Sequence, residues 1–116
     1  MTTILLNSAM MPDEGVYVLR RVSRGEFAKL VADAYQRGDL QSYVGYPETA
    51  QHIERVSGVP IQVNRAPTKL AADQATILIC KLAYRVADPG MKGKLQPTDE
   101  DYEYFVAKYN RATELR

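Results

Sequence analysis

The run Ala75–Arg85, ATILICKLAYR, constrains this chain more than any other stretch. Through Ile77–Cys80 both alternating faces are apolar, a pattern that a strand carries when it is covered on both sides. Such a strand belongs in the middle of a sheet. Further along, Lys81, Ala83 and Arg85 fall on one face and Leu82 and Tyr84 on the other, so the buried strand opens into a cationic end. A covered central strand needs helices against it, which predicts an α/β fold.

The other elements follow from local signals. Thr3–Leu6 is a short apolar strand ended by Asn7-Ser8, and Ala9–Gly15 is a loop. Val16–Val22 (VYVLRRV) reads as a second strand. Ser23 is placed to cap a helix, with Glu26 completing a capping box. Phe27, Leu30, Val31, Ala34 and Tyr35 form its apolar stripe, and Gly38 its stop. Leu40–Val44 is extended or irregular. Pro47 suits a first helical position and Glu48 a first turn, which predicts a helix over Pro47–Ser57 stopped at Gly58. Val59–Val63 reads as a short strand, Pro67–Leu70 as a further extended path, and Asp73-Gln74 as a turn. Ala87-Asp88-Pro89-Gly90 is a turn by composition. Thr98 is placed to cap a last helix, with Tyr102, Phe105, Val106 and Tyr109 as its stripe and a frayed tail over Ala112–Arg116. The expectation is one α/β domain over residues 1–116, with a mixed sheet of about five strands flanked by helices.

Composition narrows the function classes. A net charge of +1 leaves no field that gathers duplex DNA, though a few placed cations still suit a small anion. One cysteine, Cys80, forms no internal disulfide, which fits a reducing cytoplasm. No apolar run is long enough to span a membrane, and the N-terminus lacks the basic region of a signal peptide. One His and one Cys make no zinc site, and no metal or cofactor is expected. There is no phosphate-binding P-loop, dinucleotide fingerprint or nucleophile elbow. His52 falls on the inner edge of its helix, where a satisfied structural histidine is the favoured reading.

What remains is a set of polar residues at the ends of apolar elements. Asn7-Ser8 end the first strand, Gly45-Tyr46 open the second helix, and Asn64-Arg65 follow a short strand. Arg85 ends the central strand, and Asp88 lies three residues on. Open α/β sheets bind ligands at strand ends. A glycine turn feeding a helix start is a natural anion site. Each residue also has a plain reading: Asn7, Asn64 and Asp88 as turn formers, Arg65 and Arg85 as solvated or paired charges.

The ordered segments LLNSAM, VGYPETAQHIERVSGVPIQVNR, TKL and KLAYRVADPG resemble the viral anti-CRISPR ring nucleases, small proteins best known from archaeal viruses. The resemblance runs from about Thr3 to Lys94. It implies a cytoplasmic homodimer that encloses a cyclic oligoadenylate, usually cyclic tetra-adenylate, and cleaves it without metal. That ring is the second messenger of type III CRISPR defence. By position, Asn7, Ser8, Met10, Gly45, Thr49, Asn64 and Arg65 would bind the ligand. Arg85 would hold the phosphate being cleaved, Asp88 matches a glutamate there, and Tyr46 stands where the family has a histidine. Ring opening by a ribose 2′-OH needs in-line geometry, a cation for developing charge and an acid for the leaving oxygen. Tyrosine, titrating near about 10, suits the acid role less well than histidine near about 6.5. The expectation is therefore slow cleavage or sequestration of the ring, with a non-enzymatic protein- or DNA-interaction module as the alternative.

Overall fold

The computed structural model describes residues 3–7, 15–66, 76–83 and 98–111. Among these residues five strands and two helices occur in the order β1 (Thr3–Leu6), β2 (Gly15–Val22), α1 (Arg24–Arg37), β3 (Leu40–Tyr43), α2 (Pro47–Ser57), β4 (Thr76–Leu82) and β5 (Tyr102–Arg111). A single 3-10 turn, Asp99–Asp101, precedes β5. The strands form one mixed sheet in the order β2-β5-β4-β1-β3. β1 runs parallel to both β3 and β4, while β5 runs antiparallel to β4 and to β2. The expected α/β class and mixed five-stranded sheet are both present.

β4 lies at the centre, as its two apolar faces require. Ile77, Leu78, Ile79 and Cys80 are all fully buried. Its register pairs Leu78 with Leu5 on one side and Val106 on the other, and Cys80 with Tyr104. Those side chains share the face on which both helices pack, in one cluster with Phe27, Val31 and Ile53. The Phe27 and Tyr104 rings meet there at 4.9 Å. Fully burying one such large apolar side chain stabilises by about 1.5–3 kcal/mol, so this layer anchors the helices. On the opposite face Ile4, Leu6, Ile77, Ile79 and Ala107 form a second cluster, with Tyr17, Tyr43 and Phe105 partly buried against it.

Both helices keep their predicted bounds. Ser23 Oγ accepts from the Glu26 N–H at 3.1 Å. The reciprocal half of the expected capping box is replaced, because the Glu26 carboxylate turns to Arg20 at 2.8 Å. Gly38 and Gly58 end the two helices with φ of 77° and 75°, left-handed positions that favour glycine.

Two expectations are corrected. The predicted last helix is strand β5. Thr98 and Asp101 do make a capping box, but it closes only the 3-10 turn. From Tyr102 the chain has two neighbours to pair with, and Tyr102, Tyr104 and Val106 reach the core at alternate positions. Aromatic and β-branched residues fit that pleated surface. The predicted strand Val59–Val63 reduces to one parallel bridge between Val44 and Val63. Leu40–Val44, expected as extended or irregular, is extended and carries the edge strand β3 over Leu40–Tyr43. The expected features at Pro67–Leu70, Asp73-Gln74, Ala87–Gly90 and Ala112–Arg116 lie outside the described residues.

Candidate functional site

The carboxyl ends of the parallel strands β1 and β3 lie side by side, since Leu6 pairs with Tyr43. The chain leaves β1 at Asn7 and leaves β3 through Val44 and Gly45 into α2. Tyr46 is the N-cap residue of α2, with extended backbone (φ −111°, ψ 126°) and no side-chain bond back to the helix. The amides of Glu48 and Thr49 therefore receive no cap from it, and the positive end of α2 faces the turn. Pro47 at the first position has no N–H to leave unmet.

The segment after α2 is sewn to the edge of β3. The Asn64 N–H donates to the Val44 carbonyl at 2.8 Å, and Asn64 Nδ2 donates to the Ser42 carbonyl at 3.1 Å. Asn64 Oδ1 accepts from the Ala66 N–H, and Ser42 Oγ donates to the Gln62 carbonyl. This stitching delivers Arg65 to the glycine turn, where its Nε donates to the Gly45 carbonyl at 2.8 Å. From the other side Asn7 Oδ1 accepts the Gly45 N–H at a long 3.4 Å. Both polar groups of Gly45 are thus held, by residues 38 and 20 positions away. A Cβ on Gly45 would sit 3.4 Å from Arg65 Cγ, so the side chain packs closely over the turn.

These residues line an open cleft of about 340 Å³, walled by Asn7, Tyr43, Gly45, Tyr46, Asn64, Arg65 and Ala66. Among these lining residues Arg65 is the cation and none is acidic. Its guanidinium carbon lies 5.9 Å from the centre of the Tyr46 ring, a cation–π distance. Tyr46 is 59% exposed. The structure thereby brings together five residues singled out from sequence: Asn7, Gly45, Tyr46, Asn64 and Arg65. Thr49 is not among the lining residues: it is 4% exposed, in the first turn of α2. Ser8, Met10, Arg85 and Asp88 lie outside the described residues. Tyr43 joins the cleft without having been singled out. Its place at the end of a strand, three residues before Tyr46, is the signal that could have found it.

His52 is built into the core. It is 0% exposed, with Nδ1 2.9 Å from Asp99 Oδ1 and Nε2 2.7 Å from the Tyr104 hydroxyl. The Asp99 carboxylate only accepts, so Nδ1 carries the proton and Nε2 accepts from the phenol. The ring stacks on Tyr102 at 4.0 Å and 12°. Burial pushes the His52 pKa down, against the opposing pull of Asp99. The Asp99 carboxyl is held down to about 2 by the Arg55 guanidinium, 2.7 Å away, and then by the His52 ring. Burial pushes the Tyr104 phenol up to about 12 and the Cys80 thiol up to about 12, which leaves that thiol unreactive. Among the described residues no group of three or more His, Cys, Asp or Glu could hold a metal ion. No described helix is long and apolar enough to cross a membrane.

Comparison with known proteins bears on this geometry. The STIV B116-like family model matches residues 3–108, nearly the whole chain and every cleft residue. The chain belongs to the STIV B116-like family. Among the solved structures similar to it is B116 of Sulfolobus turreted icosahedral virus, an archaeal virus protein. That match has a TM-score of 0.73 at 16% identity, over 92% of this chain and 98% of the viral one. At that identity it shows a shared fold. No functionally curated protein matches the chain.

Proposed function

We propose that the cleft binds a cyclic oligoadenylate messenger, cyclic tetra-adenylate, in a site shared by two copies of the chain in the cytoplasm. Binding would antagonise type III CRISPR signalling by sequestration or by slow, metal-independent cleavage. One observation carries the reading. Residues from three separated segments (Asn7, Gly45-Tyr46 and Asn64-Arg65) converge on one cleft, with a cation, a helix start and no acidic lining residue. That is the chemistry a nucleotide phosphate needs. Strand carboxyl ends are where an open α/β sheet puts such a ligand.

Size supports sharing between copies. About 340 Å³ is at the low end of small-molecule sites, enough for one nucleotide-sized group rather than a four-nucleotide ring. Two clefts across a two-fold axis would divide a ring of even symmetry.

By the family resemblance Arg85 would bind the phosphate being cleaved, and Asp88 matches a glutamate of the family. Attack of a 2′-OH on the adjacent phosphorus forms a 2′,3′-cyclic phosphate and expels the 5′-oxygen, which must gain a proton. Tyrosine suits that acid role less well than the family's histidine, so sequestration competes with turnover. Incubation of excess protein with cyclic tetra-adenylate in EDTA, followed by mass spectrometry, tests the reading. Retained intact ring with a ligand-dependent thermal shift supports sequestration, and linear products ending in 2′,3′-cyclic phosphate support cleavage. No shift and no product with cyclic di-, tri-, tetra- and hexa-adenylates would sink both.

A further inference from the structure

Most polar atoms of the cleft already have partners within the protein. Both side-chain amide atoms of Asn64 are engaged, Arg65 Nε is bound to Gly45, and Asn7 Oδ1 takes the Gly45 N–H. What the cleft still presents is the outer edge of the guanidinium, the Asn7 Nδ2 group, and the rings and hydroxyls of Tyr43 and Tyr46. Tyr43 closes β3 on the sheet face opposite the helices, half-buried against the cluster of Ile4, Leu6 and Ile79. Tyr46 stands three residues on, exposed and held by the turn that Asn7 and Arg65 clamp.

Three residues of chain span at most roughly 10–11 Å. A flat ring packed between two others needs about 7–8 Å between the outer rings, two carbon–carbon contacts of 3.5–4.0 Å. Both tyrosines line the one cleft, within that reach of each other along the chain, so one planar group can meet both. Beside those few polar atoms the two rings offer area for a base π-face, the Tyr46 ring already carrying the Arg65 guanidinium at 5.9 Å.

We propose that Tyr43 is the specificity-determining residue of this cleft, forming with Tyr46 a stacking seat for a single purine base. Asn7 and Arg65 act as positioning residues that fix Tyr46 through Gly45. The larger face of a purine stacks more strongly than a pyrimidine, so selectivity comes from ring area rather than from base-edge hydrogen bonds. This rests on the nucleotide reading above but adds a residue and a discrimination that the reading does not contain.

The test measures dissociation constants of cyclic tetra-adenylate, cyclic tetra-uridylate, AMP and UMP for wild type, Tyr43→Ser and Tyr43→Phe. One lost stacking partner corresponds to roughly 5- to 100-fold in affinity. Tyr43→Ser is expected to lose that much for the adenine probes and less for the uracil ones, so that the adenine-to-uracil ratio falls, with Tyr43→Phe close to wild type. If cyclic tetra-adenylate binds and the adenine-to-uracil ratio is the same in all three proteins, the seat is wrong and the messenger reading stands. Wild-type preference for AMP over UMP that Tyr43→Ser abolishes, without binding of either ring, keeps the seat and overturns the messenger reading. Binding of none of the four probes overturns both. Should Tyr43→Ser fail to fold, NMR of wild type with AMP decides: upfield shifts of adenine H2 and H8 are expected, and unshifted resonances overturn the seat.

Discussion

At Gly45 an added methyl group would meet the side chain of the cleft's cation. The φ of Gly45 lies outside the left-handed region, so alanine is compatible with the backbone. Its Cβ would nonetheless press on Arg65 Cγ at 3.4 Å. Gly45→Ala is expected to shift stability by less than about 1 kcal/mol. Cyclic tetra-adenylate affinity is expected to fall several-fold as Arg65 is pushed off the turn. Paired thermal denaturation and ligand titration check this; unchanged affinity would mean that Arg65 placement is irrelevant to binding. Tyr46→His is the complementary change. If the family position is correctly carried over, an imidazole there supplies the missing acid, worth roughly 10²–10⁴ in rate. Single-turnover cleavage of cyclic tetra-adenylate in EDTA should rise by that order, and no rise would sever Tyr46 from the chemistry. Much of this site was legible as residue types at element ends: Asn7, Gly45, Tyr46, Asn64 and Arg65 all meet. The burial of Thr49, outside the lining, is not legible in the same way, because its helical spacing fits a ligand-facing and a core-facing position equally.

At the level of elements, the connection between α2 and β5 rests on the polar cluster around His52. Asp99, in the turn before β5, bonds both His52 and Arg55 of α2, while Arg24 at the start of α1 lies 3.8 Å from Glu100. The neutral His52 ring is matched to its partners, and burial lowers its pKa. Below the unfolded-state value of about 6.5 the unfolded chain takes up a proton that the folded chain refuses. Stability is thus full above about pH 6.5 and falls as pH drops toward the folded-state value. A second decline, from Asp99, follows between its ordinary 3.8 and about 2. Denaturation midpoints against pH should show the first decline in wild type and lack it in His52→Leu. That variant should also lose about 1–3 kcal/mol at pH 7.5, since the Tyr104 hydroxyl is left buried without its acceptor. An identical pH slope in the two proteins would mean that His52 does not titrate between the folded and unfolded states. The same region explains why β5 was misread. Tyr102, Phe105, Val106 and Tyr109 satisfy a helical stripe, while Tyr102, Tyr104 and Val106 satisfy a strand. Periodicity alone does not separate the two in so short a run. The decision comes from β2 and β4, which offer ladders on both sides.

For the whole molecule, the sheet order was hidden for a related reason. β2 and β5 pair across most of the chain's length, and nothing local in either strand names its partner. The central place of β4 was readable because burial on two faces leaves a mark in the residues themselves. The cleft then follows from topology, since two parallel strands with adjacent carboxyl ends open a crevice beside the helix that follows one of them. That crevice is small and open, and its consequence is a stoichiometry. If a four-nucleotide ring is divided between two copies, titration should saturate at one ring per two chains, with a dimer in native mass spectrometry. Ligand at about 100 times Kd should add about 2.7 kcal/mol to stability. Each phosphate neutralised should steepen the fall of log K with log salt by about 0.7, by analogy with single strands. Arg65 from each copy contributes two such contacts, so Arg65→Gln should flatten the slope by about 1.4 while the 1:2 ratio persists. Saturation at one ring per chain, with the monomer retained in the mass spectrum, would overturn the shared site and return the ring to a single cleft.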